Sequence, residues 1–286
     1  MNARIVAMFN HPRAQRVRFR LVEAWREYRQ ALCLLTRIPV RVAWAPDLKW
    51  GALTGWFPGV GVLIGLLLMA FVWMWGWVAN PCPLISAALI LILWTGLTGG
   101  LHLDGWADCS DAFYAPVSRE RRLEIMADPR LGAFGTMGLI LLLLLKYAGI
   151  CVVMTKVMTV SGGWRQVACL WPLVMAPVAA RAVMVAVLAD VRIPLAKAEG
   201  MGAKVRDGLG MRDVLRAAVT AVVVALAGGT LGVTMLLAAS LAGISFAFFA
   251  RQRIGGLTGD VLGAVVEIAE TAALVALSLN LGDASY

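Results

Sequence analysis

The stretch GGLHLDGWADCSDAFYA, Gly99 to Ala115, holds the residues best equipped for chemistry. Asp104, Asp108 and Asp111 are spaced i, i+4, i+7. At roughly 100° per residue they fall at about 0°, 40° and −20°, on one face of a helix. Three like charges side by side repel, and a divalent cation resolves the conflict. Carboxylate oxygens suit Mg²⁺ or Mn²⁺, whereas thiolates and several imidazoles would suit zinc. The alternative is a solvated acidic face that holds nothing. His102, two residues before Asp104, could orient a phosphate, act as general base, or be a hydrogen-bonded structural residue. Gly99, Gly100 and Gly105 leave room for a ligand close to the backbone.

Two further stretches carry charge at suggestive places. LEIMADPRLGAFG, Leu123 to Gly135, supplies Glu124, Asp128 and Arg130. Arginine grips phosphate through its planar fork. Equally, Asp128-Pro129 could cap the next helix, with Arg130 as a surface anchor. RIGGLTGDVLGAVVEIAE, Arg253 to Glu270, places Asp260 and Glu267 about 20° apart on one helix face, with Glu270 about 80° from Asp260. Such acids within an apolar segment face a bundle interior, as ligands, substrate anchors or a proton path. Each needs a partner: a metal, a substrate hydroxyl or an arginine from another segment. The glycines around Asp260 could equally serve close helix packing.

The elements that must position these groups are membrane helices. Of 286 residues, 60% are hydrophobic, and the mean hydropathy is +0.79, well above a soluble domain. Seven apolar segments are predicted, at about 52–78, 84–101, 133–155, 167–190, 214–228, 230–250 and 256–280, most near the ~20 residues a crossing needs. Gly228-Gly229 is the expected break between the fifth and sixth. With the N-terminus inside, 22 of the 26 lysines and arginines, counting Arg216 at the start of the fifth segment, fall on the cytoplasmic side, which sets an N-in, C-out topology. The net charge of +9 is thereby assigned to membrane orientation, not to nucleic acid. The five cysteines form no CxxC pair and indicate neither zinc nor a disulfide framework. Residues 14–35 mix arginines with apolar residues at helical spacing, as in an amphipathic helix on the membrane surface or, equally, a solvated helix. The chain divides into a basic extension, 1–35, and an integral-membrane catalytic domain, 36–286. A cleaved signal peptide is not expected.

GGLHLDGWADCSDAF, DPRLGAFG and GGLTGDVLGAVVE, in this order and preceded by TRIPV, resemble the signature blocks of the cobalamin synthase family, the adenosylcobinamide-GDP ribazoletransferases. The resemblance runs from about Leu34 to about Leu279. Trp106, Cys109-Ser110 and Ala112 depart from the usual pattern, and none of them removes a carboxylate. The resemblance implies a Mg²⁺-dependent enzyme of the inner membrane with its site facing the cytoplasm. It would join adenosylcobinamide-GDP to α-ribazole, or its 5′-phosphate, and release GMP. A ribose hydroxyl would attack the phosphorus on the aminopropanol arm. The implied metal ligands are Asp104, Asp108 and Asp111, with His102 as a further catalytic residue. Arg37, Asp128, Arg130, Thr258, Asp260 and Glu267 are the implied substrate contacts. Lipid, other enzymes of the pathway or a second copy of the chain are the expected partners. A CDP-alcohol phosphotransferase-like lipid enzyme is the nearest alternative, but Asp108-Cys109 stand where that family has Ala-Arg. A divalent-cation carrier is the second alternative. It would line several helices with acids along their depth.

Overall fold

The computed structural model describes residues 12–42, 49–78, 82–160, 163–197 and 199–279. The first eleven residues of the expected N-terminal extension, and residue 280 at the end of the last expected segment, lie outside them. Regular structure among the described residues is helical, with a single parallel bridge between Leu195 and Leu257.

In chain order the helices are α1 (Pro12–Leu35), α2 (Trp50–Thr54), α3 (Phe57–Val78), α4 (Pro83–Thr98), α5 (Leu101–Tyr114), α6 (Arg119–Ile125), α7 (Ala133–Thr159), α8 (Gly163–Cys169), α9 (Trp171–Ala189), α10 (Met201–Asp207), α11 (Met211–Ala227), α12 (Gly229–Ile254) and α13 (Gly259–Leu279). The protein is an all-α, multi-pass membrane bundle. Among the described residues four stretches are long and apolar enough to cross a bilayer: Trp50–Gly76, Ala133–Thr159, Arg165–Ala189 and Gly229–Ile254. A fifth arises if α4 and α5 count as one span, although they meet at 92°. Helix α13 has 21 residues, and its Asp260, Glu267 and Glu270 lower its apolar character. Helix α11 has 17 residues, short of the ~20 expected of a span.

The expected break between the fifth and sixth segments is present. Gly228 lies between α11 and α12, and Gly229 has φ +63°, a left-handed backbone that glycine adopts without a Cβ clash. Trp171 seals the break, its Nε1 donating to the Val224 carbonyl at 3.1 Å.

Helix α9 is the hub. Within its crossing stretch 83% is buried, against 28% for α12. It packs chiefly on α3 and α13. Small residues permit the approach: a Cβ on Gly61 would sit 2.6 Å from the Pro177 carbonyl oxygen, the small-residue packing typical of membrane helices. The outer faces carry Leu144 and Leu145 of α7 and Leu237 and Leu241 of α12, all more than half exposed. Apolar surface this extensive is unfavourable in water and suits lipid. The C-terminal end of α1 joins the bundle: Glu27 accepts from Trp56 Nε1 at 2.9 Å and pairs with Arg216 of α11 at 3.3 Å.

Candidate active site

A sharp turn sets up the site. Gly99 and Gly100 have φ +65° and +70°, which side-chain-bearing residues adopt only with strain. They turn the chain through 92° between α4 and α5, so α5 leaves the direction of the crossing segments. Arg37 packs its side chain over Gly99, and its backbone N–H donates to the Leu97 carbonyl at 2.8 Å. Aromatic contacts hold α5 on α12: Trp106 lies 5.8 Å from Phe246 and Phe113 lies 5.7 Å from Phe249.

On α5, Asp104 is exposed, and Asp108 and Asp111 are partly buried. Gly105 brings this helix against the start of α13. A Cβ there would lie 2.6 Å from the Asp260 carbonyl oxygen, so only glycine lets the two backbones approach this closely. Thr258 caps α13, its hydroxyl accepting from the Val261 N–H at 3.2 Å and donating to Asp260 Oδ2 at 3.3 Å. The cap orders Asp260 beside the α5 carboxylates. The preceding GGLTGD turn is braced by the loop after α9: Leu257 N–H donates to the Pro194 carbonyl at 2.8 Å, and Ala196 N–H to the Leu257 carbonyl at 2.9 Å.

The electrostatics follow from this crowding. The Asp108 carboxyl is pushed up to about 7, first by burial and then by the charges of Asp104, Asp260 and Asp111. A carboxylate cluster that resists its own ionisation is one that a cation would relieve. Among the described residues no side chain forms an ion pair with Asp104 or Asp108. Nor, among them, do three or more His, Cys, Asp or Glu side chains form a ready-made metal cage. The donor chemistry nonetheless fits a hard cation such as Mg²⁺, which keeps several waters and takes one or two carboxylates plus substrate phosphate.

Asp111 has another task. Its Oδ2 accepts from the Gly132 N–H and its Oδ1 from the Gly135 N–H, both at 2.8 Å. The carboxylate thus caps the N-terminus of α7, where the helix dipole favours negative charge. Side chains at Gly132 or Gly135 would collide with it. The DPRLGAFG glycines are therefore what admits Asp111.

Other sequence-predicted residues make contacts of their own. Asp128 and Arg130 bond each other on the exposed loop before α7, with Arg130 Nη2 to Asp128 Oδ2 at 2.6 Å. Hydrogen bonds from Arg130 hold the Asp128 carboxyl down to about 2. Glu267 faces away from the cluster, into a buried network. Lys146 Nζ lies 2.8 Å from Glu267 Oε2 and 2.5 Å from Glu270 Oε2, and Arg181 Nη1 lies 2.7 Å from Glu270 Oε1. Arg181 Nη1 also donates to the Pro177 carbonyl at 3.0 Å, and Lys146 sits 4.6 Å above the Trp94 ring. Sequence reasoning did not assign Lys146 or Arg181 to this network. The signal was available: two cations and two acids inside apolar segments balance in charge.

Beneath the α5–α13 contact is a cavity of about 320 Å³. Asp104, Asp260 and His102 line it together with apolar side chains from α1, α3, α9 and α13. His102 is buried, and its Nδ1 has no hydrogen-bond partner.

Fold and site together define a multi-pass, all-α membrane protein that presents clustered carboxylates at the edge of an apolar cavity. The chain belongs to the cobalamin-5-phosphate synthase family, whose model matches residues 27–278. It is 36% identical to a Stutzerimonas stutzeri protein over 262 residues, 88% of this chain and 97% of that one. It is 38% identical to an Ectopseudomonas mendocina protein over 262 residues, 88% and 98% of the two chains. A Brevibacillus brevis relative is 36% identical over 257 residues, 86% and 95%. All three are named adenosylcobinamide-GDP ribazoletransferase. No solved structure matches this chain.

Proposed function

We propose that the chain is a membrane-embedded, Mg²⁺-dependent phosphotransferase that joins adenosylcobinamide-GDP to α-ribazole, or its 5′-phosphate, and releases GMP. The observation that carries this reading is the convergence of Asp104 and Asp108 with Asp260 beside the apolar cavity, in a chain of this family. Asp104 and Asp108, with Asp260 beside them, would hold the cation. When bound it neutralises phosphate oxygens and the charge developing on the leaving GMP. Asp111 contributes its negative charge and fixes α5 against α7. The Thr258 cap keeps Asp260 facing the cluster. Arg37, at the α4–α5 turn, and Arg130, on the loop before α7, are the cationic groups proposed for substrate phosphates, and Asp128 holds the Arg130 guanidinium. His102, in the cavity wall, orients substrate. The ribose hydroxyl of the riboside attacks the phosphorus on the aminopropanol arm, the bond from that phosphorus to the GMP oxygen breaks, and the hydroxyl proton passes to solvent or to the departing GMP.

The topology proposed with this function has seven crossings, a cytoplasmic N-terminus and an active site on the cytoplasmic side of the inner membrane. The deep acids Glu267 and Glu270 are neutralised by Lys146 and Arg181. They supply no open acidic path, which favours an enzyme over a cation carrier. The decisive assay measures GMP release by the purified protein from adenosylcobinamide-GDP, α-ribazole and Mg²⁺. Release that needs both the riboside and the cation is expected, and its absence in an inserted, folded preparation refutes the reading.

A further inference from the structure

The cavity under the Asp104–Asp260 contact is chemically graded. Asp104 is exposed and Asp260 partly so. The side chains at the other end are buried: Phe57 at 4%, Val185 at 1% and Leu188 at 1% exposure. Among the described side chains lining it, only Asp104, Asp260 and His102 are polar. His102 is 3% exposed and its Nδ1 lacks a partner. The lining thus asks for a ligand whose apolar part fills the buried end and whose polar part stays beside the carboxylates.

We propose that this cavity is the subsite for the aromatic base of the riboside, with the base among Phe57, Val185 and Leu188 and the ribose beside Asp104 and Asp260. This rests on the ribazoletransferase reading. The competing groups of the reaction fit poorly. A guanine base carries an amide and an exocyclic amine along its edge, and an apolar wall leaves them unpaired. A corrin macrocycle with its amide side chains is too large for about 320 Å³. A fatty acyl chain would fill the apolar end but bring a carboxylate or phosphate headgroup against Asp104 and Asp260, which repel it. A benzimidazole-type base presents one ring nitrogen besides the one bonded to ribose, far less to desolvate than the guanine edge. Val185 and Leu188 then set the size of base accepted.

The test uses the full chain in lipid nanodiscs, with equilibrium dialysis of α-ribazole run beside steady-state kinetics. Val185→Phe, which fills the cavity, should weaken the riboside at least tenfold in both Kd and KM. The KM of the nucleotide-activated corrinoid should stay within twofold. Leu188→Ala, which enlarges it, should shift relative kcat/KM at least fivefold toward a riboside with a bulkier base. Loss of folding cannot produce that gain. Unchanged riboside binding in Val185→Phe with no selectivity change in Leu188→Ala overturns the assignment. So does a weakened corrinoid substrate in its place, or displacement of a spin-labelled acyl chain by Val185→Phe without any effect on the riboside. If wild type binds riboside, loses it in Val185→Phe and yet transfers nothing, the subsite stands and the reaction falls. If transfer proceeds and Val185→Phe is neutral, the reverse holds.

Discussion

Asp104, Asp108 and Asp111 share a helix face but not the same partners. Asp104 and Asp108 have no ion-pair partner among the described residues, whereas both oxygens of Asp111 accept backbone N–H groups of α7. Asp104→Asn and Asp108→Asn should each lower turnover by orders of magnitude while leaving insertion and melting near wild type. Asp111→Asn keeps one acceptor oxygen and brings an amine against a backbone donor. It should therefore also cost about 1–2 kcal/mol of stability, visible as a lower melting temperature in detergent. Wild-type melting of Asp111→Asn would contradict the cap. Asp108 provides a pH test. Its carboxyl titrates at about 7 in the folded protein and at ~3.9 in an unfolded chain. Between those values the folded state keeps a proton that the unfolded chain has released, so stability falls as pH rises through the window. A divalent cation favours the ionised form. Mg²⁺ should therefore raise the melting temperature more at about pH 8 than at about pH 5.5, and equal shifts would argue against a cation at this cluster. The i, i+4, i+7 pattern was legible in the sequence because helix geometry is local. The capping by Asp111 was not, because its partners lie 21 and 24 residues away and the glycines that admit it have no side chain to mark the contact.

At the scale of elements, apolar runs punctuated by Gly and Pro gave most helix positions, including the end of α1 before Pro39 and the break at Gly228. What they could not give is which faces meet. Gly105 reads as an ordinary helix glycine until Asp260 is seen against it. Gly105→Ala should push α5 from α13 and cut activity strongly while the protein remains folded, since Asp260 would move from Asp104 and Asp108. Activity unchanged in this variant would separate Asp260 from the site. The Lys146–Glu267–Glu270–Arg181 network joins α7, α9 and α13 in the same way. Lys146→Met strands a buried carboxylate and should cost about 3–5 kcal/mol, whereas adding Glu267→Leu should recover much of it. Chemical unfolding of both variants measures this. A double variant no more stable than the single one would show that Glu267 does not depend on Lys146.

At the scale of the whole molecule, the proposed orientation rests on the placement of the lysines and arginines, and the α4–α5 turn brings the acidic face of α5 to the start of α13. Cysteines placed at Ser118 and Gln252 should react with an impermeant thiol reagent only after permeabilisation. Labelling from outside intact cells would reverse the proposed orientation. The family and the acidic stretch were legible because both rest on short runs of sequence. The graded cavity was not, because its walls come from helices far apart in the chain.

The buried ion network also constrains how the protein is made. Lys146 and Arg181 sit in segments that reach the membrane well before α13 is synthesised, and their counter-charges Glu267 and Glu270 lie on that last helix. Until it arrives, two cations are held in an apolar medium at about 2.5–3.5 kcal/mol each on insertion scales. Helix α13, with its own carboxylates, is in turn a poor candidate to enter lipid unaided. Each side therefore lowers the insertion cost of the other, and a nascent chain halted before Gly259 is left with unneutralised charge in the apolar interior. The final helix closes the circuit, and only the finished chain balances its buried charge.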